Sequence, residues 1–387
     1  MTEVKVLSLR RSSTLCALLM AVTIAAALTC ASLAQSQSQS QNSSRPRRSE
    51  GAAQATPTPP KKEDDVTLNS DEVVRVDTSV TNVFFTAADK QRRFVSNLKR
   101  EDLRITEDGQ PQEIFTFLQN VDLPLSLAIL IDCSGSEERT LPEEKAAARS
   151  FLESIMRPAK DEAAVVSFTG EVTLEQGLTG NIGRLRRAID QVEFVPPAGY
   201  IGGGVVVGGT PPISGTQQTL AGSTAIWDAI WATSNELLTD SAEHQRRAII
   251  LLTDGEDTIS QVHMQDAISR ALKADALIYA IGIGDRYQFG INESALKKIT
   301  DGTGGRAYFP RNERELRDAF AQIERELREQ YLIAYSPSNK TRDGSYRRVA
   351  IEIVNPEIRK ENLRLTYRPG YFAKTPGAIP TENSKKP

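Results

Sequence analysis

Hydrophobic and polar positions follow one pattern in the middle of the chain and another on both sides of it. Between residues 123 and 330, continuous apolar runs such as LSLAILI, RAIILLT and ALIYAIGI alternate with stretches whose apolar residues recur at helical spacing. Continuous apolar runs are typical of parallel strands covered on both faces, and strands that alternate with helices predict right-handed crossovers. Residues 123–330 are therefore predicted to form an α/β domain with a Rossmann-like, doubly wound, mostly parallel sheet.

The stretches between these runs predict the other elements of the domain. Two further strands are expected at EAAVVSF and RAYF. The helical spacing of apolar residues predicts helices over Pro142–Ile155, Ile182–Val192, Thr224–Leu238, Met264–Ala274, Glu293–Ile299 and Glu313–Gln330.

On both sides of this region, apolar residues alternate with polar ones, as in half-buried strands. On the N-terminal side, VVRVDTSVTNVFF predicts one strand, and LRITEDGQPQEIFTFL predicts two strands joined through Asp108-Gly109. On the C-terminal side, QYLIAYSP, YRRVAIEIV and LRLTYRPGYF predict further strands. We expect residues 69–122 and 331–374 to pack together as one small β module. Two separate small units are the alternative, and at these lengths they are less stable.

The first 34 residues have the layout of a secretory signal peptide. Arg10 and Arg11 precede an apolar run, and the small residues Ser32 and Ala34 fit a cleavage site after Ala34. The chain is therefore predicted to be exported to the periplasm, the cell envelope or the extracellular space. The alternative is an uncleaved segment that tethers the protein to a membrane, since the run approaches spanning length.

Two segments have too few large apolar residues to fold. Residues 35–68, which include QSQSQSQNSSRPRRSE, are predicted to be a disordered linker, and residues 375–387 a disordered tail. The linker is interpreted as a flexible tether for the folded part.

Charge and cysteine content narrow the possible functions. The 47 Lys and Arg residues are nearly balanced by 50 Asp and Glu residues without a basic stripe, so nucleic acid is not an expected partner. After removal of the signal segment only Cys133 remains, which rules out an intramolecular disulfide. At the end of an apolar strand, this cysteine is interpreted as a small buried hydrophobe.

Oxygen-bearing side chains follow two of the predicted strands at the point where each ends. Asp132, Ser134 and Ser136 follow the first apolar strand, Asp254 follows RAIILLT, and Thr224 precedes the helix that leads into that strand. Ligands of doubly wound domains bind at the carboxyl ends of the strands, so these side chains are expected to converge. Oxygen ligands without nitrogen or sulfur suit a hard cation: Mg²⁺, Mn²⁺ or Ca²⁺.

Each of these residues also has an ordinary structural interpretation. Asp132 could cap a turn, Thr224 could be the N-cap of its helix, and Asp254 begins an Asp-Gly turn pair. Their occurrence together favours the metal site. Glu256 and Asp257, at the same edge, are interpreted as a solvated acidic rim.

Three motifs carry a resemblance to a known family. DCSGS at 132–136, STAIWDA around Thr224 and LLTDGED around Asp254 resemble the metal-ion-dependent adhesion site of von Willebrand factor type A (VWA) domains. The resemblance covers about residues 123–330. The flanking segments EDGQPQEIFTFLQN and QYLIAYSPSN resemble those of exported VWA-related proteins of acidobacteria.

The resemblance implies a role for each residue of the site. Ser134 and Ser136 would bind the metal directly, and Thr224 would join them when a ligand is bound. Asp132 and Asp254 would act mainly through waters and by hydrogen bonds to the hydroxyls. A partner protein would supply an acidic side chain to the cation. The implied function is metal-dependent protein binding of the adhesion type.

One segment departs from the family pattern. The glycine- and proline-rich insert from Pro196 to Ser223 immediately precedes Thr224. It is either a specificity loop beside the metal or an insertion without a role. As a specificity loop, it would offer Tyr200, Gly202, Gly203 and Gly204 as ligand-binding residues.

Catalysis is not expected. A Mg²⁺-dependent hydrolase of the haloacid dehalogenase type needs a second carboxylate two residues after the first, where this chain has Ser134. A Ser-His-Asp hydrolase is also poorly supported, because His244 and His263 lie in polar stretches and no G-x-S-x-G motif is present. The remaining alternative is a structural scaffold of the cell envelope that requires no metal.

Overall fold

The computed structural model describes residues 80–119, 122–196, 222–239, 241, 245–284 and 290–375. The predicted signal segment 1–34, the linker 35–68 and residues 376–387 of the predicted tail lie outside the described residues. Within the described part, no helix has the length and apolarity needed to cross a membrane.

A six-stranded sheet forms the centre of the α/β domain. Numbered in chain order after the four strands of the N-terminal flank, its strands are β5 (Leu125–Asp132), β6 (Glu162–Phe168), β7 (Val172–Thr179), β8 (Arg246–Thr253), β9 (Ala276–Gly282) and β10 (Ala307–Tyr308). They lie in the order β10-β9-β8-β5-β6-β7. Five of them are parallel, and β7 is antiparallel to β6. The predicted doubly wound, mostly parallel sheet is confirmed.

The antiparallel edge strand β7 is absent from the sequence-based prediction. Its side chains are half-buried or exposed, and Leu174 is 57% exposed. Its pairing with β6 also contains register irregularities. An edge strand of this kind lacks the continuous apolar run that predicts a buried strand.

Helices cover both faces of the sheet. They are α1 (Leu141–Ile155), α2 (Ile182–Gln191), α3 (Ile226–Ala232), α4 (Met264–Lys273), α5 (Glu293–Thr303) and α6 (Glu313–Arg328). Helices α1, α2 and α6 pack on one face against Leu127, Ile129 and Ile131. Helices α3, α4 and α5 pack on the other face against Ala128 and Leu130. The alternation of these β5 side chains explains why the whole strand is apolar.

Two helices differ from their predicted extent by more than two residues. Helix α3 gives way to a π-helical turn at Thr233–Leu237, so the predicted helix over Thr224–Leu238 is not uniform. Helix α5 continues to Thr303, beyond the predicted end at Ile299, and stops where Gly304 adopts a left-handed conformation with φ of 87°.

The flanks together form the β module. Its strands are β1 (Thr81–Ala88), β2 (Leu103–Glu107), β3 (Gln110–Gln112), β4 (Ile114–Gln119), β11 (Tyr331–Tyr335), β12 (Tyr346–Ile353), β13 (Arg364–Tyr367) and β14 (Gly370–Phe372), with a short helix α7 (Pro356–Lys360). One sheet has the order β13-β1-β11-β4 and the other β14-β12-β2-β3.

In each of these sheets, strands of one flank pair with strands of the other. Strand β1 pairs antiparallel with β11 and β13, and β2 pairs antiparallel with β12. Side chains of both sheets, such as Phe85 and Ile351, share one hydrophobic core. The expectation of a single β module is confirmed.

LRITEDGQPQEIFTFL forms three strands rather than the predicted two. Asp108 and Gly109, with φ of 49° and 81°, make the expected turn between β2 and β3. After Gln112 the chain leaves this sheet, and β4 pairs with β11 in the other one.

Arg246 ties together the two connections between the α/β domain and the β module. At the start of β8, its guanidinium donates to the carbonyl oxygen of Leu123 at 3.0 Å and to that of Leu327 at the end of α6. Both connections are thereby fixed at the amino-terminal edge of the sheet, leaving the carboxyl-terminal edge for a site.

Candidate metal site

Strand β5 ends in a carboxylate with no exposed surface, that of Asp132. Its Oδ1 accepts a hydrogen bond of 3.0 Å from the backbone N–H of Ser134, and its Oδ2 accepts one of 2.6 Å from the Thr253 hydroxyl at the end of β8. Strands β5 and β8 are neighbours in the sheet. The chain continues from β5 to β6 on one side of this pair and from β8 to β9 on the other. Such a topological switch point is where doubly wound folds bind ligands.

The residues after Asp132 turn their hydroxyls toward one another. The Oγ atoms of Ser134 and Ser136 lie 3.2 Å apart. Ser134 is buried and Ser136 is half-buried. Between them begins a short 3-10 turn, Gly135–Glu137.

Asp254 lies in the loop that follows β8. Its side chain is buried, and its Oδ1 accepts a hydrogen bond of 2.9 Å from the backbone N–H of Glu256. Gly255, between them, has a φ of 85°, and a Cβ there would lie 2.9 Å from Cγ of Leu296. Glycine is therefore required for this turn, which holds Asp254 at the edge of the sheet.

Thr224 lies at the same edge and is buried. Its backbone N–H donates to the Thr258 hydroxyl at 2.8 Å, and its carbonyl oxygen accepts from the Thr258 N–H at 2.9 Å. The N-cap position of α3 is Ala225 rather than Thr224.

The side chain of Asp257 caps helix α3 instead. Its Oδ1 accepts a hydrogen bond of 2.8 Å from the N–H of Ile226 and one from the hydroxyl of Ser260. The interpretation of Asp257 as part of a solvated rim is wrong, because its carboxylate joins the loop after β8 to the start of α3. Glu256 is exposed, as expected.

The structure adds a third acidic residue, Glu137, which the sequence-based site lacks. Carboxylate oxygens of Asp132, Glu137 and Asp254 all lie within 4.8 Å of one another, and all three side chains are buried. Glu144 of α1 is fully buried in the same region. The sequence contains a signal for the burial of Glu144. This residue shares the apolar face of α1 with Ala147, Ala148 and Phe151, where a charged residue is unusual.

Burial raises the pKa values of these acids. Burial and the charge of Asp254 raise the pKa of Asp132 to about 7, against the lowering effect of hydrogen bonds from Ser134 and Thr253. Burial raises the pKa of Asp254, and burial together with the charge of Glu144 raises that of Glu137 well above its usual range. Burial also raises the pKa of Glu144 to about 7. The charged forms are therefore costly without a compensating cation.

The donor set fits a hard divalent cation. It consists of carboxylates and hydroxyls, the oxygen ligands that Mg²⁺, Mn²⁺ and Ca²⁺ take. Oε1 of Glu137 is buried without a hydrogen-bond partner. Among the described residues, no Lys, Arg or His forms an ion pair with any of the four acids. A cation would compensate both the charge and the unpaired oxygen.

The structure describes most, but not all, of the predicted site residues. The structure brings Asp132, Ser134, Ser136 and Asp254 together and places Thr224 at the same edge. The four predicted ligand-binding residues of the insert, Tyr200, Gly202, Gly203 and Gly204, lie outside the described residues. Cys133 is buried, as expected, and burial raises the pKa of its thiol.

Two family models of the von Willebrand factor type A domain match the chain, one over residues 127–208 and the other over residues 213–322. The matched ranges include every motif of the site. The α/β domain therefore has the sequence features of a VWA domain. No curated protein matches the chain.

Several solved structures are similar to parts of the chain. Proximal thread matrix protein 1 from the mussel byssus is 19% identical, with a TM-score of 0.42 over 57% of this chain and 51% of the mussel protein. This chain therefore spans about half the length of that protein. Another structure of the mussel protein has zinc in its MIDAS (metal-ion-dependent adhesion site) motif.

Two bacterial structures are also similar. A von Willebrand factor type A protein from Catenulispora acidiphila is 14% identical, with a TM-score of 0.42 over 77% of this chain and 74% of that one. BatB from Bacteroides thetaiotaomicron is 15% identical, with a TM-score of 0.38 over 53% of this chain and 98% of that one. The resemblance of the flanks to exported acidobacterial proteins stays a prediction.

Proposed function

We propose that the protein is an exported, metal-dependent protein-binding module of the adhesion type. A divalent cation, Mg²⁺, Mn²⁺ or Ca²⁺, would bind at the carboxyl-terminal edge of the sheet and coordinate an acidic side chain of a partner protein. The observation that carries this proposal is the buried acidic cluster beside Ser134 and Ser136, which has no basic partner among the described residues.

Each residue of the site has its own role in this proposal. The hydroxyls of Ser134 and Ser136 would bind the cation, and Thr224 would join them when a partner is bound. Asp132 is already held by two hydrogen bonds, so its carboxylate is oriented before the cation arrives. A cation that keeps an exchangeable position strongly attracts an incoming carboxylate.

We further propose that residues 1–34 direct export, that residues 35–68 tether the folded part, and that the insert between Pro196 and Ser223 contributes to partner selection. Binding is favoured over catalysis because Ser134 stands where a haloacid-dehalogenase-type enzyme needs its second carboxylate. The partner is expected to be a protein with an accessible Asp or Glu.

Calorimetric titration of Mg²⁺ and Mn²⁺ into the mature chain tests the proposal. The wild type is expected to bind one cation, and Asp132→Ala and Ser134→Ala are expected to abolish that binding. Glu143→Gln is a matched control, because Glu143 is exposed on the first turn of α1. Absence of binding by the folded wild type, tested with Ca²⁺ as well, would contradict the proposal.

A further inference from the structure

Glu137 has no place in the D-x-S-x-S motif, yet it is fully buried beside it. Its Oε2 accepts a hydrogen bond of 2.5 Å from the hydroxyl of Thr140. Its Oε1 is buried and has no hydrogen-bond partner. Glutamate is rarely buried without compensation, so this oxygen requires an explanation.

The neighbours of Glu137 are acidic rather than basic. A carboxylate oxygen of Glu137 lies within 4.8 Å of carboxylate oxygens of both Asp132 and Asp254. Two Ca²⁺–oxygen bonds of about 2.4 Å span a separation of that size. A cation bound between the three carboxylates would attract each of them and so offset their mutual repulsion.

Glu144 adds to the negative potential behind Glu137. It lies in the first turn of α1 and is fully buried, and it has no basic partner among the described residues. The acidic cluster thus includes buried carboxylates beyond those of the motif.

We infer that Glu137 is a direct ligand of the cation and that Asp132 and Asp254, which the VWA resemblance places behind waters, bind it directly as well. Three carboxylates and two serine hydroxyls of the chain would then hold the cation, and this set selects Ca²⁺ over Mg²⁺. Ca²⁺ accepts six to eight oxygen ligands in a flexible arrangement, whereas Mg²⁺ keeps several waters and is usually bound through only one or two carboxylates. The free chain would then hold its cation before any partner arrives. This inference rests on the proposed function.

Titrations of Ca²⁺ and of Mg²⁺ into the mature chain, without a partner, test the inference. Wild type is expected to bind Ca²⁺ about 10-fold or more tightly than Mg²⁺, since affinity rises with the number of carboxylate ligands. Glu137→Gln is expected to weaken Ca²⁺ binding by about 10-fold or more, and Mg²⁺ binding by less. The exposed control Glu143→Gln is expected to leave both affinities unchanged.

A second readout separates a direct ligand from a remote charge. The number of water molecules on bound Mn²⁺ can be counted by electron–nuclear double resonance. If Glu137 is a ligand, Glu137→Gln is expected to add about one coordinated water, while Glu143→Gln adds none. Glu137→Gln removes a buried carboxylate without a basic partner and is expected to fold. If it does not, Glu137→Asp, which keeps the charge but shortens its reach, is expected to show the same losses.

Different experimental results would contradict the inference and the proposed function. If the wild type binds a cation that Asp132→Ala abolishes, while Glu137→Gln changes neither affinity nor the water count, Glu137 is not a ligand and the inference is overturned. Wild-type binding of Mg²⁺ as tight as that of Ca²⁺ overturns the selectivity. If the folded wild type binds no cation at all, both proposals are wrong.

Discussion

Thr253 fixes the Asp132 carboxylate although it lies on a different strand. Its hydroxyl donates to Oδ2 of Asp132 at 2.6 Å and accepts from the N–H of Gly255 at 3.1 Å. It therefore orients an acid of the site and also shapes the turn that carries Asp254. Residues that orient metal ligands in this way commonly affect metal affinity almost as much as the ligands themselves.

Thr253→Val removes both hydrogen bonds and keeps the shape of the side chain. We expect it to weaken cation binding by about 10- to 100-fold, measured by calorimetry. Thr253→Ser retains the hydroxyl and should bind nearly as well as wild type. Equal affinities of Thr253→Val and wild type would show that Asp132 needs no orientation by Thr253.

Among single residues, the sequence predicts those site residues whose position is set by the end of a strand. Asp132 and Asp254 each follow an apolar strand, and parallel strands end at one edge of the sheet, so their proximity was predictable. Glu137 lies in SEERT, a polar stretch that is typical of an exposed loop. Its burial depends on how the 3-10 turn and α1 pack over the edge, which no local pattern encodes.

Helix α3 begins without a side-chain cap of its own and depends on another element. Ala225 occupies its N-cap position, and the Asp257 carboxylate supplies the acceptor from the loop after β8. In return, the carboxylate of Asp228 on α3 accepts hydrogen bonds from the N–H groups of Gln261 and Val262. The two metal-site loops that carry Thr224 and Asp254 are thereby held together.

Asp257→Ala leaves the start of α3 without its acceptor. We expect it to lower the free energy of unfolding by about 1 kcal/mol, the usual effect of removing an N-terminal cap, in urea denaturation without added cation. Glu256→Ala, at the exposed neighbouring position, is expected to change it by less than about 0.5 kcal/mol. Equal effects of the two variants would contradict the capping role.

Elements were predicted well where burial produces a strong pattern. Strand β6 has the predicted limits because both of its faces are covered. Strand β7 was missed because an exposed edge needs no apolar pattern, and the division of one predicted strand into β3 and β4 depends on which sheet each joins.

The arginine of a buried ion pair within the α/β domain also contacts the β module. Arg306 Nη1 lies 2.8 Å from Oε1 of Glu326 on α6, which also accepts a hydrogen bond of 2.7 Å from the hydroxyl of Tyr308. Nη2 of Arg306 donates to the hydroxyl of Thr366 on β13 at 3.1 Å. One side chain of the α/β domain thus contacts the module directly.

Arg306→Met should strongly destabilise the protein, because it leaves the Glu326 carboxylate buried without its basic partner. We expect a loss of about 3–5 kcal/mol in the free energy of unfolding, measured in guanidinium chloride. The double variant Arg306→Met with Glu326→Gln removes both charges and is expected to recover much of that loss. No recovery would indicate that packing, rather than charge, accounts for the effect.

The whole molecule was predictable in outline because the two hydrophobic patterns divide the chain into an α/β centre and β flanks. The pairing of β1 with β11 and β13 follows from the closeness of the two flanks once the central domain is formed. The contact of Arg306 with β13 and the contacts of Arg246 with the two connecting segments could not be predicted, because both residues look like ordinary polar positions at the start of a strand.

The central claim is that a divalent cation binds at the edge formed by β5 and β8. The most direct test is an anomalous-diffraction map of the mature chain crystallised with Mn²⁺. The account predicts a single strong peak within bonding distance of the hydroxyl oxygens of Ser134 and Ser136 and beside Asp132 and Asp254. A fully ordered edge without a peak, or a peak only elsewhere on the protein, would contradict it.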